Sequence, residues 1–389
     1  MTTISACMIV RNESAWIVGA IESVRPAVDE IVIVDTGSTD ETAEIALIAG
    51  ARVERFAWCD DFSAARNSSI DAASGEWVLI VDADHRLGLG AAETIRIAAA
   101  QGKSAAYRLP THEATSPDAP IARVVSGELR RGRPWHPTAL MRREVNGERV
   151  RYCNPIHEDP MPWLVEHGVV PPALAGANIV HFGGCAMVRE KRGSDARNRT
   201  ALLRWQREQP WNLTPYHYLA QFAFHAGDNA GTLELVNTAL AQPVRPTEFG
   251  KIGSLLTFGA MAALELKKLD VAQKMLAAAS LNDRGTAHPD RVFLEGSLAE
   301  AEGRWGDAIA HYAVCTSLDS DAWSMLMLAG ATSFSAHQRM AVCFLELGRY
   351  DSALTMVDKA LAFRGDGNDG VIRAESERLR AAIVKAKAA

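Results

Sequence analysis

Along the first third of the chain, short apolar runs alternate with stretches whose apolar residues recur at helical spacing. Ile4 to Val10, Ile31-Val32-Ile33-Val34 and Val78-Leu79-Ile80-Val81 are largely or wholly apolar, the pattern of strands buried on both faces of a sheet. Ala51 to Phe56 alternates like a further strand. Ser14 to Val24 and Phe62 to Ala73 read as helices, and Ser38-Thr39-Asp40-Glu41 fits a capping box before a helix reaching about Ala49. This βαβαβαβ order predicts a parallel sheet with right-handed crossovers. Beyond Leu87 the pattern is mixed to about residue 185, with Pro-rich pieces at 117 to 120 and 160 to 172, and predicts extra strands and loops.

From about Trp205 the strand signals give way to helical patterns separated by short turns. The stretches "HAGDNAGTLELV", "ELKKLDVAQKML", "AEGRWGDAIAHY" and "ELGRYDSALTMV" share a frame. In the last three, a turn-like pair (Lys267-Lys268, Gly303-Arg304, Gly348-Arg349) precedes a large apolar residue (Leu269, Trp305, Tyr350) and then a small one (Ala272, Ala308, Ala353). The frame resembles the tetratricopeptide repeat, in which small residues let paired antiparallel helices approach closely. Successive turns are about 36 to 45 residues apart, against about 34 in the usual repeat, so the units are degenerate or carry insertions. A helical scaffold or dimerisation module over 205–389 follows, behind an α/β domain over 1–204.

Composition narrows the setting. No stretch approaches the roughly 18 uncharged apolar residues of a membrane span, and the N-terminus lacks the basic, apolar and cleavage regions of a signal peptide; the expected location is the cytoplasm. The cysteines are scattered with no C-x-x-C, which speaks against a disulfide framework or a cysteine zinc site. A net charge of −6 argues against whole-surface binding to nucleic acid. Charge is nevertheless uneven: residues 123–151 carry eight arginines against three acids, and 187–207 carry seven basic residues against two acids. Either patch could hold an anion.

The stretch "VLIVDADHRL" runs from four apolar residues straight into Asp82 and Asp84. Carboxylates at a strand exit meet the crevice where open α/β sheets bind ligands, and if the strand continues both fall on one face. No P-loop sequence is present, and the glycine motif at 365–370 follows a helix instead of a strand. His157-Glu158 fails as a zinc-protease motif because Met161 stands where the second histidine is needed. What remains is distributed over several strand ends: "CMIVRNE", "VDTGSTDET", "FSAARNSSIDAASGEWVLIVDAD", "NPIHE" and "IVHFGG". In this order they resemble family 2 glycosyltransferases with the GT-A fold. The resemblance covers about the first 190 residues and is closest to the branch in which repeats follow the transferase and sugar is moved onto peptides, including the cysteine S-glycosyltransferases of bacteriocin systems.

The resemblance implies a nucleoside diphosphate sugar as donor, with UDP as carrier, and a Mn²⁺ or Mg²⁺ ion to neutralise the departing diphosphate. It implies Asp84 as a direct metal ligand, Asp82 on the ribose or supporting the metal through water, Ala83 between them, and His181 as a second ligand. Asp35 would meet the nucleotide base, Arg66 the base or diphosphate, and Val10, Arg11 and Glu13 the base through the main chain. Glu158 would take the acceptor's proton, with His157 as neighbour or alternate, in an inverting single displacement. Lys191 and Arg192 would contact phosphate from a segment closing over the donor. Arg130, Arg131 and Arg133, with Trp135 and His136, read as an acceptor-facing loop.

Three functions compete at this point. The first is transfer to a peptide or protein side chain, with the repeats forming a homodimer or an acceptor groove. The second keeps the chemistry but changes the acceptor to a hydroxymethylated DNA base or an anionic glycan precursor, marked by strong salt dependence in the DNA case. The third is a repeat-based adaptor with an inactive transferase domain, against which the presence of Asp82, Asp84 and Glu158 speaks.

Overall fold

The computed structural model describes residues 2–185, 194–243, 249–281, 287–318, 330–363 and 369–388, with Val188 and Leu328 between them. The chain divides into two compact units, Met1–Ala201 and Leu202–Ala389. In the first unit the strands are β1 (Ile4–Val10), β2 (Glu30–Asp35), β3 (Arg52–Arg55), β4 (Trp77–Ile80), β5 (His85–Leu87), β6 (Ala106–Arg108), β7 (Thr111–Ala114), β8 (Arg130–Trp135), β9 (Thr138–Arg142), β10 (Glu144–Val145), β11 (Glu148–Arg149) and β12 (Ile179–His181). The helices that matter for the site are α1 (Ile17–Val24), α2 (Thr42–Ile48) and α3 (Phe62–Ala72).

The principal sheet has the order β3-β2-β1-β4-β9-β6. Its first four strands are parallel, as the apolar runs predict, but β9 lies antiparallel to both β4 and β6, so the sheet is mixed. Helices cover both faces, and the strand residues divide between them with period two. Ile4, Ala6, Met8 and Val10 of β1, with Trp77 and Leu79 of β4, face the core that holds Ile17 and Ile21 of α1. Cys7, Val32, Val78 and Ile80 face the opposite core with Ile70 of α3. Strands buried on both sides need no polar alternation, which is why they read as continuous runs.

A second, four-stranded sheet has the order β5-β12-β7-β8. β5 starts only five residues after β4 ends, so the chain passes from one sheet to the other through Asp82-Ala83-Asp84. Two expectations change here. The strand does not continue through the aspartates, because His85 N–H closes a turn onto the Asp82 carbonyl at 3.0 Å. The arginine-rich stretch from 130 is the strand β8, not a loop.

The capping box is also corrected. α2 starts at Thr42 with no side-chain cap from Ser38. The polar side chains of this segment are used across the fold instead: Asn12 N–H donates to Ser38 Oγ (3.0 Å), Glu13 N–H to Thr42 Oγ1 (2.7 Å) and Ser14 N–H to Asp40 Oδ2 (3.2 Å). Thr39 N–H in turn donates to Asn12 Oδ1 (2.8 Å). The motifs "RNE" and "GSTDET" are thus stitched together.

The second unit is a tetratricopeptide-like series of helix pairs: Leu213–His225 with Asn229–Leu240, Phe249–Glu265 with Leu269–Ser280, Pro289–Ala301 with Trp305–Ser317, and Phe334–Glu346 with Tyr350–Ala362. Asp369–Ala388 packs against the last pair. Ala272, Ala308 and Ala353 are fully buried, as their place in the repeated frame predicts. Each pair is joined by a Schellman turn; in the second, Lys267 N–H reaches the Leu264 carbonyl and Lys268 N–H the Ala263 carbonyl. Among the described residues no helix is long and apolar enough to cross a membrane. The glycine motif at 365–370 lies mostly outside the described residues.

Candidate active site

In the strand order 3-2-1-4, successive strands step one way from β1 and then β4 returns to its other side. The crevice beyond the carboxyl ends of β1 and β4 is therefore the switch point at which such sheets bind ligands. A cavity of about 300 Å³ lies there. It is lined from β1 and the turn after it by Ile9, Val10, Arg11 and Glu13, and from the β4–β5 turn by Asp82, Ala83 and Asp84. Arg66 of α3, His157 and Glu158 of the "NPIHE" segment, and His181 of β12 complete the expected set.

Three other expected residues do not join them. Asp35 is buried at the end of β2 and does not line the cavity; its Oδ1 accepts from Gly37 N–H (3.0 Å) and Ser38 N–H (2.8 Å) and so shapes its own turn. Lys191 and Arg192 lie outside the described residues.

Arg66 organises one wall. Its side chain is only 7% exposed; it pairs with Asp82, and its Nε donates to Glu158 Oε1 at 3.1 Å. One buried cation therefore holds two carboxylates that are 76 residues apart in sequence (158 − 82). The neighbouring Asn67 clamps Tyr152, donating to its carbonyl (3.0 Å) and accepting from its N–H (2.8 Å), while Phe62 N–H reaches the Pro155 carbonyl (2.8 Å). The "ARN" of α3 is thus what positions "NPIHE", whose His157 takes a left-handed φ of 51°.

Electrostatics distinguish the two acids on Arg66. Burial favours the neutral form of Asp82, but Arg66 outweighs it and holds this carboxyl below its usual range. Glu158 moves the opposite way: burial, aided by repulsion from Asp82, overcomes Arg66 and raises its pKa. A carboxylate that binds a proton more readily than usual is suited to accept one.

Asp84 forms the other wall and is 5% exposed. His181 Nε2 is 3.6 Å from Asp84 Oδ2, and His181 Nδ1 bonds Glu113 Oε1 at 2.7 Å. Burial disfavours the imidazolium, but hydrogen bonds to Asp84 and Glu113 prevail and push the His181 pKa up to about 10. Asp84, His85 and His181 bring ligand atoms within 4.8 Å of one another, a donor set of carboxylate and imidazole that suits a divalent cation. His85 is the weaker donor of the three, because its Nδ1 already accepts from Asp82 N–H at 3.2 Å. The glycines of "IVHFGG" explain themselves by close approach: a Cβ on Gly183 would strike the Asp84 carboxylate and the His181 ring, and one on Gly184 would strike Glu113.

Sequence reasoning missed several of these groups. Trp58 and Phe62 line the cavity edge-to-face, with ring centroids 4.7 Å apart. Arg197, from the helix Ser194–Glu208, also lines it and stands 5.3 Å over the Phe62 ring. Its only sequence signal is the basic patch over 187–207. Glu113 has no local signal at all.

Residues 5–104 match the model of the family described as Glycosyl transferase family 2, and the N-terminal unit carries a domain of that family. A TPR repeat-containing protein of Synechococcus elongatus is 33% identical over 220 residues, covering 54% of this chain and 49% of its own length. The SPbeta prophage-derived glycosyltransferase SunS of Bacillus subtilis is 38% identical over 85 residues, 21% of this chain and 20% of its own. The chain thus spans about half of the first relative and a fifth of the second. Among solved structures, glucosyl-3-phosphoglycerate synthase from Mycobacterium tuberculosis, crystallised with Mn²⁺, UDP-glucose and phosphoglyceric acid, overlaps 29% of this chain and 44% of its own at 26% identity. The TM-score of that overlap is 0.25.

Proposed function

We propose that this chain is a metal-dependent, inverting glycosyltransferase that moves a sugar from a nucleoside diphosphate sugar, with UDP as carrier, to a peptide or protein side chain in the cytoplasm. The observation that carries this reading is the convergence of Val10, Arg11, Glu13, Arg66, Asp82, Asp84, Glu158 and His181 on one cavity at the sheet's switch point, within a family 2 domain.

Asp84 and His181 would hold a Mn²⁺ or Mg²⁺ ion, which supplies neutralisation of the diphosphate as it leaves. Asp82, kept ionised by Arg66, would face the donor's ribose or support the metal through water. Glu158 takes the proton of the acceptor's hydroxyl, thiol or amide as that atom bonds to the anomeric carbon. The bond from the anomeric carbon to the diphosphate oxygen breaks, and its electron pair leaves with the diphosphate. One displacement inverts the anomeric configuration, and base catalysis of this kind contributes roughly 10²- to 10⁴-fold. Val10, Arg11 and Glu13 border the nucleotide, while Trp58 and Phe62 offer an aromatic edge. The acceptor class rests on the resemblance of a transferase followed by helical repeats, whose unit would dock the acceptor or pair two copies.

A thermal-shift and hydrolysis screen of nucleotide sugars, with and without Mn²⁺, tests the proposal. Stabilisation by one donor that needs Mn²⁺ and disappears in Asp84→Ala is the expected result. No shift and no hydrolysis with any donor would leave the adaptor reading in its place.

A further inference from the structure

We infer that Glu113 is a positioning residue that presents His181 to the cation, an inference that rests on the metal reading above. β12 pairs antiparallel with β5 and parallel with β7, so that His181 lies opposite His85 on one side and Glu113 on the other. β7 in turn pairs with β8, placing Arg131 opposite Glu113. His85, His181, Glu113 and Arg131 therefore form one row across the second sheet, and residues in a row project from the same face.

Each member of the row constrains the next. The His85 ring meets His181 edge-on with centroids 5.0 Å apart, fixing the plane of the imidazole from one side. From the other side Glu113 Oε1 accepts from Nδ1 at 2.7 Å, which leaves Nε2 directed at Asp84. Arg131 Nη1 donates to the Gly184 carbonyl at 3.2 Å and so pins the residue that covers Glu113. Once Nε2 has given up its proton, an imidazole whose Nδ1–H is held by a carboxylate presents the Nε2 lone pair in a fixed direction, the arrangement that orients metal-binding histidines.

A purely structural role accounts poorly for Glu113. Among the described residues its Oε2 is buried and has no hydrogen-bond partner, and a buried polar atom left unsatisfied is costly unless function requires it. Glu113 also belongs to none of the motifs that define the rest of the cavity.

The test is Mn²⁺ binding to the full chain in the presence of UDP, read from the electron paramagnetic resonance of free Mn²⁺, with no turnover required. Wild type should bind, and Asp84→Ala should not. Glu113→Ala should weaken binding by roughly 10- to 100-fold, with an unchanged circular dichroism spectrum, and Glu113→Gln, which keeps a neutral acceptor at the same reach, should fall between. Equal Mn²⁺ affinity in wild type and both Glu113 variants would overturn the inference and leave the metal reading standing. A lowered melting temperature with unaltered affinity would also overturn it, since that is the mark of a structural role. Should Glu113→Ala not fold, the isosteric Glu113→Gln decides by the same criterion. Wild-type binding no stronger than that of Asp84→Ala would remove the metal reading and this inference together.

Discussion

In the helical unit the turn of each described pair is closed by local bonds, chiefly of the backbone, whereas at the strand ends of the sheet unit the chain is held by charged side chains from distant positions. Gly227, Gly303 and Gly348 take the left-handed position of the Schellman turns with φ between 68° and 77°, and the carbonyls of the preceding helix accept from the turn. Nothing in those turns depends on a remote partner. At the cavity, by contrast, Arg66, Asp82 and Glu158 come from three separate segments, and the buried guanidinium is held by two carboxylates that are only partly buried. Local satisfaction permits a repeated, tolerant scaffold. Long-range satisfaction of charge is dearer, and it leaves reactive groups with altered proton affinity.

The largest effect expected from breaking this contrast is catalytic. Glu158→Gln should lower transfer or donor hydrolysis by roughly 10²- to 10⁴-fold while the protein stays folded. The wild-type rate should rise with pH through a limb lying above the usual glutamate range. The sign follows from the raised pKa: burial and Asp82 favour the protonated form, and only the deprotonated form can accept a proton. A limb at ordinary glutamate values, or one that persists in Glu158→Gln, would transfer the role to another group.

Next comes stability. Arg66→Met removes the shared cation from two partly exposed acids; chemical denaturation should show a loss of about 1–3 kcal/mol, between the exposed and buried limits. A loss under 1 kcal/mol would mean that solvent in the cavity already screens the pair. The smallest effect belongs to the helical unit. Lys267 occupies at φ 56° the position that glycine takes in the other turns, so Lys267→Gly should stabilise, and Gly303→Ala should destabilise, each by about 1 kcal/mol. Matching melting temperatures for both variants would show that these turns do not limit the unit's stability.

The two regions also differed in how far they could be read from sequence. The helix pairs were legible because the signal is local: a turn, a large apolar residue, then a small one such as Ala308. β1, β2 and β4 were legible because burial on both faces leaves unbroken apolar runs, and Asp82 and Asp84 because they end one. The direction of β9 was hidden, since Thr138–Arg142 carries nothing that distinguishes a parallel from an antiparallel neighbour. The capping box misled because Asp40 and Thr42 bond to Glu13 and Ser14, and tertiary partners displaced the local pattern. Glu113 could not be found, because its meaning arises only when β7 pairs with β12, 68 residues further on.

The bridge through Arg66 also means that Asp82 and Glu158 are not energetically independent. Asp82→Asn frees the guanidinium to hold Glu158 more tightly, and Glu158→Gln does the same for Asp82. In a double-mutant cycle the two substitutions therefore depart from additivity, as contacts sharing a partner do, by 0.5–3 kcal/mol on the order-of-magnitude scale of such networks. If Asp82 borders the donor and Glu158 is the base, as proposed, a change made at position 82 to accept a different donor will be felt in the proton affinity of Glu158, and a screen for new donors should vary positions 82 and 158 together.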